Sequence, residues 1–206
     1  MIITLSRMHL AGADKVAERV AAELGWKVVD DAFIETLAER SGFDREDVKS
    51  LEERVPTFME RFAQSSALST PELLASAPDA IEEPEAIKLA HITRDLVEEL
   101  GRQSRVVLVG RAAAAVLARE RDAIHVWLVA SVEYRTREAM RRFGMRESEA
   151  RAAIAERDTS RARYHRELYH RVWADPVNYL FVLNTEVLGV VGAADMIVAR
   201  ARALGW

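Results

Sequence analysis

The chain has 206 residues, of which 50% are hydrophobic and 30% are charged. This size and composition predict one globular domain with a substantial core, and they exclude a disordered chain. The formal net charge of −4 disfavours general adhesion to nucleic acid polymers or acidic membranes. The absence of cysteine excludes disulfides, thiolate zinc sites, iron–sulfur clusters and cysteine nucleophiles.

Targeting and membrane signals are absent from the sequence pattern. No window supplies about 18 consecutive apolar residues, and the first residues, MIITLSRMHL, carry no basic leader before a long apolar run. We therefore expect a cytoplasmic protein that has no membrane partner.

The first half of the chain predicts two strand–helix pairs followed by an insertion. The predicted elements are strands at Ile2–Leu5 and Trp26–Val29, a helix that ends at Gly25, and a helix from Asp30 or Asp31 to about Arg40. Four of the five prolines then fall between residues 43 and 84. This region predicts helical pieces that form an insertion beside the core.

The second half continues the alternation of strands and helices. Predicted strands lie at Arg105–Val109, Ala123–Ala130 and Tyr179–Leu183, and predicted helices at Glu85–Leu100, Arg111–Arg119, Val132–Phe143, Arg146–Tyr169 and Val190–Leu204. The VVLV run of the third strand is apolar throughout, as in a central parallel strand covered on both faces. The pattern predicts an α/β fold: a doubly wound five-stranded parallel sheet flanked by helices.

Ligands of such sheets bind at the carboxyl ends of the strands, so the residues that follow each strand are candidates for a site. They are Ser6, Arg7 and Gly12; Asp30 and Asp31; Gly110 and Arg111; Ser131 and Arg135; and Asn184 and Thr185. Arginines beside a glycine-bearing loop that opens a helix favour phosphate binding, because backbone N–H groups and guanidinium groups both donate to oxyanions.

The loop after the first strand matches the phosphate-loop pattern G-x-x-x-x-G-K-[ST] at only one of four defining positions. With Gly12 on the second glycine, Arg7 stands at the first glycine, Ala13 at the lysine and Asp14 at the hydroxyl residue. Two interpretations stay open: an ordinary strand–helix connection with Asp14 as the N-cap, or a degenerate phosphate-binding loop. The candidate loop residues are Ser6, Arg7, Gly12, Ala13, Asp14 and Lys15.

Motifs in one order along nearly the whole chain resemble the cytidylate kinase-like family of P-loop nucleoside monophosphate kinases. They are ITLSR at residues 3–7 with Gly12, VVD at 28–30, VLVGR at 107–111, VASVEYR at 129–135, RARY at 161–164, Trp173 with DPVNY at 175–179, and NT at 184–185. Leu10, Ala11 and Ala13 depart from the family's loop, which has glycine, serine and glycine there. A Cβ at these places restricts positive φ and crowds an approaching phosphate.

The resemblance implies a role for each candidate residue. Gly110 and Arg111 would bind the phosphate of the acceptor nucleotide, and Asp30 would shape the acceptor side. Arg135, Arg157, Arg161 and Arg163 would stabilise charge on the donor phosphates as catalytic residues. Residues 43–84 would form the acceptor-binding insertion and residues 146–178 the helical lid of a single domain at 1–206, and Mg²⁺ would accompany ATP.

Alternatives remain for several of these residues. Arg111 is either an anion ligand or an ordinary surface residue, and Asp30 and Asp31 are either helix caps or ligands. The arginines between 157 and 166 form either a lid or a solvated, salt-bridged helix face.

We hypothesise a phosphotransferase that moves the γ-phosphoryl of ATP to a nucleoside monophosphate, with CMP favoured by the resemblance. The alternative is a catalytically impaired nucleotide-binding or regulatory protein that keeps the kinase fold. A structural oligomer subunit is a third option, and the apolar C-terminal helix leaves a homodimer open.

Overall fold

The computed structural model describes residues 1–29, 31–44 and 85–206. Asp30 and all but the first two residues of the predicted insertion therefore lie outside the described residues. Among the described helices, none combines the length and the apolar character that are needed to cross a membrane.

Five parallel strands form one sheet in the order β2-β3-β1-β4-β5. The strands are β1 (Ile2–Arg7), β2 (Lys27–Val29), β3 (Val106–Val109), β4 (Ala123–Val129) and β5 (Phe181–Asn184). The helices are α1 (Ala13–Leu24), α2 (Asp31–Ser41), α3 (Glu85–Gln103), α4 (Ala113–Val116), α5 (Val132–Phe143), α6 (Glu147–Tyr169) and α7 (Thr185–Ala203).

Helices cover both faces of this sheet, which explains why β3 is apolar at every position. On one face, Leu5 and Val107 pack against Val16 of α1 and Ile197 of α7. On the other face, Ile2 and Leu108 pack in a second cluster with residues of α2, α3 and α4. The predicted doubly wound five-stranded parallel sheet is confirmed.

Two predicted helices differ most from their predicted bounds. The helix predicted at Arg111–Arg119 is reduced to the single turn of α4, because Gly110, Arg111 and Ala112 all have positive φ, at 76°, 56° and 48°. Helix α7 has an additional first turn from Thr185, which the Asn184 side chain caps by accepting a hydrogen bond from Glu186 N, and its main part begins after Gly189 at Val190, as predicted. Gly189 interrupts the same helix with φ 65° and ψ 175°.

Candidate functional site

The carboxyl ends of β1 and β3 meet around a small hollow whose far wall is α6. Its lining residues are Ser6, Arg7, Gly110, Arg111, Ala112, Arg161, Tyr164, His165 and Trp173. The structure thus brings together four of the predicted strand-end residues with one of the predicted catalytic arginines. The free volume is about 10 Å³, which is room for roughly one water molecule.

The loop after β3 presents Arg111 through a strained backbone. Gly110 N donates to Leu5 O at 2.9 Å and ties the loop to β1. Left-handed φ values at Arg111 and Ala112 cost about 1–2 kcal/mol each for residues that carry a Cβ. Such strain persists only where the surrounding structure imposes it, and it is concentrated at functional sites.

Two contacts hold the arginines of this loop region. The Arg111 guanidinium lies over the Phe33 ring of α2, with Cζ 5.1 Å from the ring centroid. The Arg7 guanidinium packs so closely on Gly110 that an added Cβ would lie 2.0 Å from Arg7 Nη1. Glycine is therefore required at position 110 for the close approach as well as for its φ.

The hollow has a strongly cationic lining. Its described wall includes the three guanidinium groups of Arg7, Arg111 and Arg161 and no carboxylate. A guanidinium presents a planar fork of donors that matches the oxygens of phosphate. An oxyanion is therefore the ligand that this wall fits best.

The loop after β1 is anchored by protein groups. Ala11 is fully buried, and its carbonyl accepts a hydrogen bond from Thr185 Oγ1 at 2.9 Å. Leu10 has φ 64°, so it adopts the left-handed backbone despite its Cβ. The N-cap of α1 is Gly12, with φ 78°, so the interpretation of Asp14 as the cap is wrong.

Several predicted loop residues are not part of the hollow. Gly12, Ala13, Asp14 and Lys15 are not among its lining residues. Asp14 and Lys15 are exposed on the first turn of α1, whereas Ala13 is buried in the core.

Asp158 of α6, which the sequence analysis did not identify, meets the loop after β1. His9 N donates to Asp158 Oδ1 at 2.7 Å, and Arg135 Nη1 donates to Asp158 Oδ2 at 2.6 Å. Arg161 Nη1 lies 3.5 Å from Oδ1. One carboxylate thus joins α6 to α5 and to the main chain of the loop.

The two best-placed predicted catalytic arginines are both buried. Arg135 also donates from Nη1 to His9 O and from Nε to Ala130 O. It therefore binds both the main chain of the loop and the Asp158 carboxylate. The solvated-face interpretation is wrong for Arg161, which is only 7% exposed. Arg157 is exposed, as the solvated-face interpretation predicts. Arg163 is half-buried and does not line the hollow.

The pKa of His9 is lowered by burial and by the positive charge near this carboxylate. Burial, then Arg161 and Arg157, lower the pKa of His9 to about 4, although Asp158 acts in the opposite direction. The His9 ring is therefore neutral near pH 7.

Aromatic residues pack around Trp173, which lines the hollow. The Tyr179 hydroxyl donates to Trp173 O at 2.8 Å. Burial raises the pKa of Tyr179. Trp127 of β4 contacts both aromatic rings, with centroids 5.7 Å from Tyr179 and 5.8 Å from Trp173.

No dedicated metal site is built by the described residues. In residues 1–29, 31–44 and 85–206, no group of three or more His, Cys, Asp or Glu side chains is placed to hold a metal ion. Asp158 is engaged by Arg135 and by His9 N, and a carboxylate held in this way by a guanidinium does not fit a resident Mg²⁺.

Comparison with solved structures agrees with the architecture. An uncharacterized protein from Eubacterium ventriosum superposes with a TM-score of 0.68 at 18% identity, covering 97% of each chain. A shikimate kinase from Bacteroides thetaiotaomicron superposes with a TM-score of 0.55 at 15% identity, covering 99% of this chain and 97% of its own. At these identities the likeness shows the fold.

Sequence comparison is more specific. A curated cytidylate kinase from Methanopyrus kandleri is 26% identical over 194 residues, covering 90% of this chain and 84% of the relative. The model of the cytidylate kinase-like family matches residues 2–187. The match spans β1 to the first three residues of α7 and includes every residue of the arginine-lined hollow, and the chain therefore belongs to the cytidylate kinase-like family.

Proposed function

We propose that the protein transfers the γ-phosphoryl group of ATP to a nucleoside monophosphate, with CMP as the preferred acceptor. Membership of the cytidylate kinase-like family supports a kinase-like activity, and the cytidylate kinase relative favours CMP. The observation that carries the proposal is the convergence of Arg7, Arg111 and Arg161 on one hollow that has no carboxylate among its described lining residues.

In this proposal, Arg111 binds the phosphate of the acceptor. Its guanidinium is already oriented by the Phe33 ring and by the strained loop, so little side-chain entropy is lost when the anion binds. Arg7 contributes a second guanidinium from the adjacent strand end. Two cations at fixed positions would orient the acceptor oxygen for in-line attack.

Phosphoryl transfer requires positioning and charge neutralisation more than covalent chemistry by the protein. Arg161 is the best-placed of the predicted catalytic arginines because it lines the hollow and also contacts Asp158. Arg135 would act by fixing the loop through His9 O. Direct roles for Arg157 and Arg163 remain predictions.

Mg²⁺ enters this proposal as part of the MgATP substrate. Mg²⁺ commonly keeps several waters and binds through substrate phosphates with one or two protein oxygens, so a preformed protein site is not required. We assign no step to a protein-bound metal.

The hollow has to open before it can admit a nucleotide, since its free volume of about 10 Å³ is room for roughly one water. Arg161, Tyr164 and His165 all belong to α6, so movement of this helix away from β1 and β3 would enlarge the site. Return of α6 would then exclude water during the transfer.

An ADP-release assay tests the activity. At high enzyme concentration we expect release with CMP and Mg²⁺, and CMP is to be compared with dCMP, UMP and AMP. Arg111→Met should lower kcat/KM for the acceptor, and Arg119→Met, on the exposed segment after α4, should not. No ADP release with any of the four acceptors would remove the proposal.

A second candidate is a nucleotide-binding protein that has lost catalysis. It is favoured by the hydrogen bond of His9 N to the Asp158 carboxylate, because a protein anion there takes a loop donor that a donor phosphate could use. This candidate predicts that CMP binds without turnover.

Restoring glycine at two positions separates the two candidates. Leu10→Gly relieves the left-handed strain at φ 64°, and Ala13→Gly removes a Cβ at the start of α1. A gain of ATP affinity in the double variant would indicate a decayed loop. Unchanged ATP affinity, together with turnover by the wild type, would favour the kinase.

A further inference from the structure

We propose that Asp158 is an internal competitor of the donor phosphates, which holds α6 against the loop after β1 until a polyphosphate displaces it. This inference rests on the proposed function in taking a nucleoside triphosphate as the ligand. It adds a regulatory contact to that site, in which the Asp158 carboxylate of α6 takes the place of a phosphate oxygen.

The contacts of Asp158 are those that a phosphate oxygen would make. One carboxylate oxygen accepts from His9 N at 2.7 Å, and the other accepts from Arg135 Nη1 at 2.6 Å. Main-chain N–H groups of a strand–helix loop and guanidinium groups are the usual donors to phosphate in proteins. The carboxylate therefore occupies donors that suit a bound oxyanion.

Asp158 is a partly buried group with several partners. Its side chain is 19% exposed, and the side chain of Arg135 is 7% exposed. Charge-assisted hydrogen bonds in such surroundings are stronger than those at the surface. The contact is strong enough to hold a helix, and it is made of groups that a more highly charged anion can outcompete.

The charge around Asp158 favours an anion with more than one negative charge. Arg135 and Arg161 contact the carboxylate, and Arg7 and Arg157 lie close enough to His9 to lower its pKa. Two guanidinium groups thus contact the carboxylate and two more lie near His9, and a polyphosphate would neutralise more of this charge than one carboxylate does.

Asp158 also couples this loop to the hollow. Arg161 follows Asp158 by one helical turn and lines the hollow, as do Tyr164 and His165. Displacement of the carboxylate would release the contact between α6 and the loop, and the same helix forms the far wall of the acceptor site. Donor binding would therefore help to open the acceptor hollow.

Tripolyphosphate is a suitable probe because it carries the donor's charged groups without the nucleoside. We expect Asp158→Asn, which keeps the shape and one acceptor oxygen, to bind tripolyphosphate roughly 10-fold more tightly than the wild type in calorimetry. The matched control is Glu156→Gln, which makes the same change of charge at an exposed position of α6. It should change the affinity less than 2-fold.

A second measurement uses the wild type alone and does not depend on the folding of the variant. Hydrogen exchange should slow at residues 6–12 and accelerate in the middle of α6 when tripolyphosphate is added. Unchanged exchange in α6 on binding, or equal affinities of Asp158→Asn and wild type, would overturn the proposal. So would the absence of tripolyphosphate binding in both proteins.

This result is separable from the proposed function. If the protein shows no turnover but Asp158→Asn still tightens tripolyphosphate binding, the role of Asp158 as a competitor stands and the proposed kinase activity is wrong. If the protein phosphorylates CMP but Asp158→Asn does not change its tripolyphosphate affinity, the proposed kinase activity stands and the role of Asp158 as a competitor is wrong.

Discussion

The loops after β1 and β3 lie side by side at the same edge of the sheet, yet they differ in the contacts that their residues make. The loop after β1 is closed by protein groups: Thr185 binds its Ala11 carbonyl, and Asp158 binds its His9 N–H. The loop after β3 extends Arg111 into a hollow lined by cations. The loop after β3 thus presents cations to a hollow, whereas one N–H donor of the loop after β1 is taken by a carboxylate of the protein.

Replacing Arg111 is expected to have the largest effect on this difference. Arg111→Met keeps apolar packing on Phe33 and removes the charge, so the Kd for CMP should rise roughly 10- to 100-fold, as for a lost hydrogen bond to a charged group. Calorimetry measures this, with Arg119→Met as the control. Equal changes in both variants would mean that Arg111 does not bind the acceptor.

Alanine at each of the two loop glycines tests the close approach of Arg7. Gly110→Ala and Gly12→Ala both strain the backbone, at φ 76° and φ 78°, and should each cost about 1 kcal/mol of stability. At Gly110 the new Cβ also displaces the Arg7 guanidinium, whereas at Gly12 the nearest atom is Val190 Cγ2 at 3.9 Å.

The Kd for CMP should therefore rise about 10-fold, or about 1.4 kcal/mol, in Gly110→Ala only. Calorimetry and urea denaturation, performed on the same samples, separate binding from stability. A similar loss of CMP affinity in Gly12→Ala would remove the distinction between the two loops.

Thr185 anchors the loop after β1, and its loss should appear as lower stability. Thr185→Val leaves Ala11 O and Val129 O without this hydroxyl and should cost about 1–2 kcal/mol. The matched control is Thr136→Val, at another buried threonine, whose hydroxyl donates only to Val132 O of its own helix. Urea denaturation compares the two, and an equal or larger loss at Thr136 would contradict this anchoring.

The smallest expected effect is a pH dependence at His9. Its pKa is lowered from 6.5 to about 4 in the folded chain, so below pH 6.5 the unfolded state binds a proton that the folded state does not. Stability is then fully retained above pH 6.5 and falls as the pH decreases towards 4. His125, whose pKa is lowered mainly by burial, acts in the same direction.

His9→Asn isolates the contribution of His9, because His125 is present in both proteins. Urea denaturation at pH 7 and pH 5 should show a smaller loss of stability in the variant than in the wild type. The same loss in both would show that His9 is protonated as easily in the folded chain as in the unfolded one.

Elements defined by local sequence signals were predictable from the sequence. Helix α5 has the predicted bounds Val132–Phe143, because Ser131 caps it by accepting from Tyr134 N and Gly144 ends it with φ 66°. The apolar VVLV run is β3, an interior strand paired with β2 and β1 and buried at every position. Ser6, Arg7, Gly110 and Arg111 meet because the carboxyl ends of parallel strands share one edge of the sheet.

Features that depend on distant parts of the chain were not predictable. Asp158 meets His9 across 149 positions of sequence, and only the packing of α6 on the loop reveals the contact. The one local signal was its place three residues before Arg161 on a helix rich in arginine. Helix α4 is short because tertiary contacts impose positive φ on Arg111 and Ala112, which no propensity scale predicts.

The central claim is that the arginine-lined hollow recognises the phosphate of a nucleotide. Calorimetric titration of the wild-type protein with CMP and with cytidine, which differ only in that phosphate, tests it most directly. We predict that CMP binds at least about 100-fold more tightly than cytidine, since several charge-assisted hydrogen bonds depend on the phosphate. Equal affinities for the two compounds, or no binding of CMP, would contradict the account.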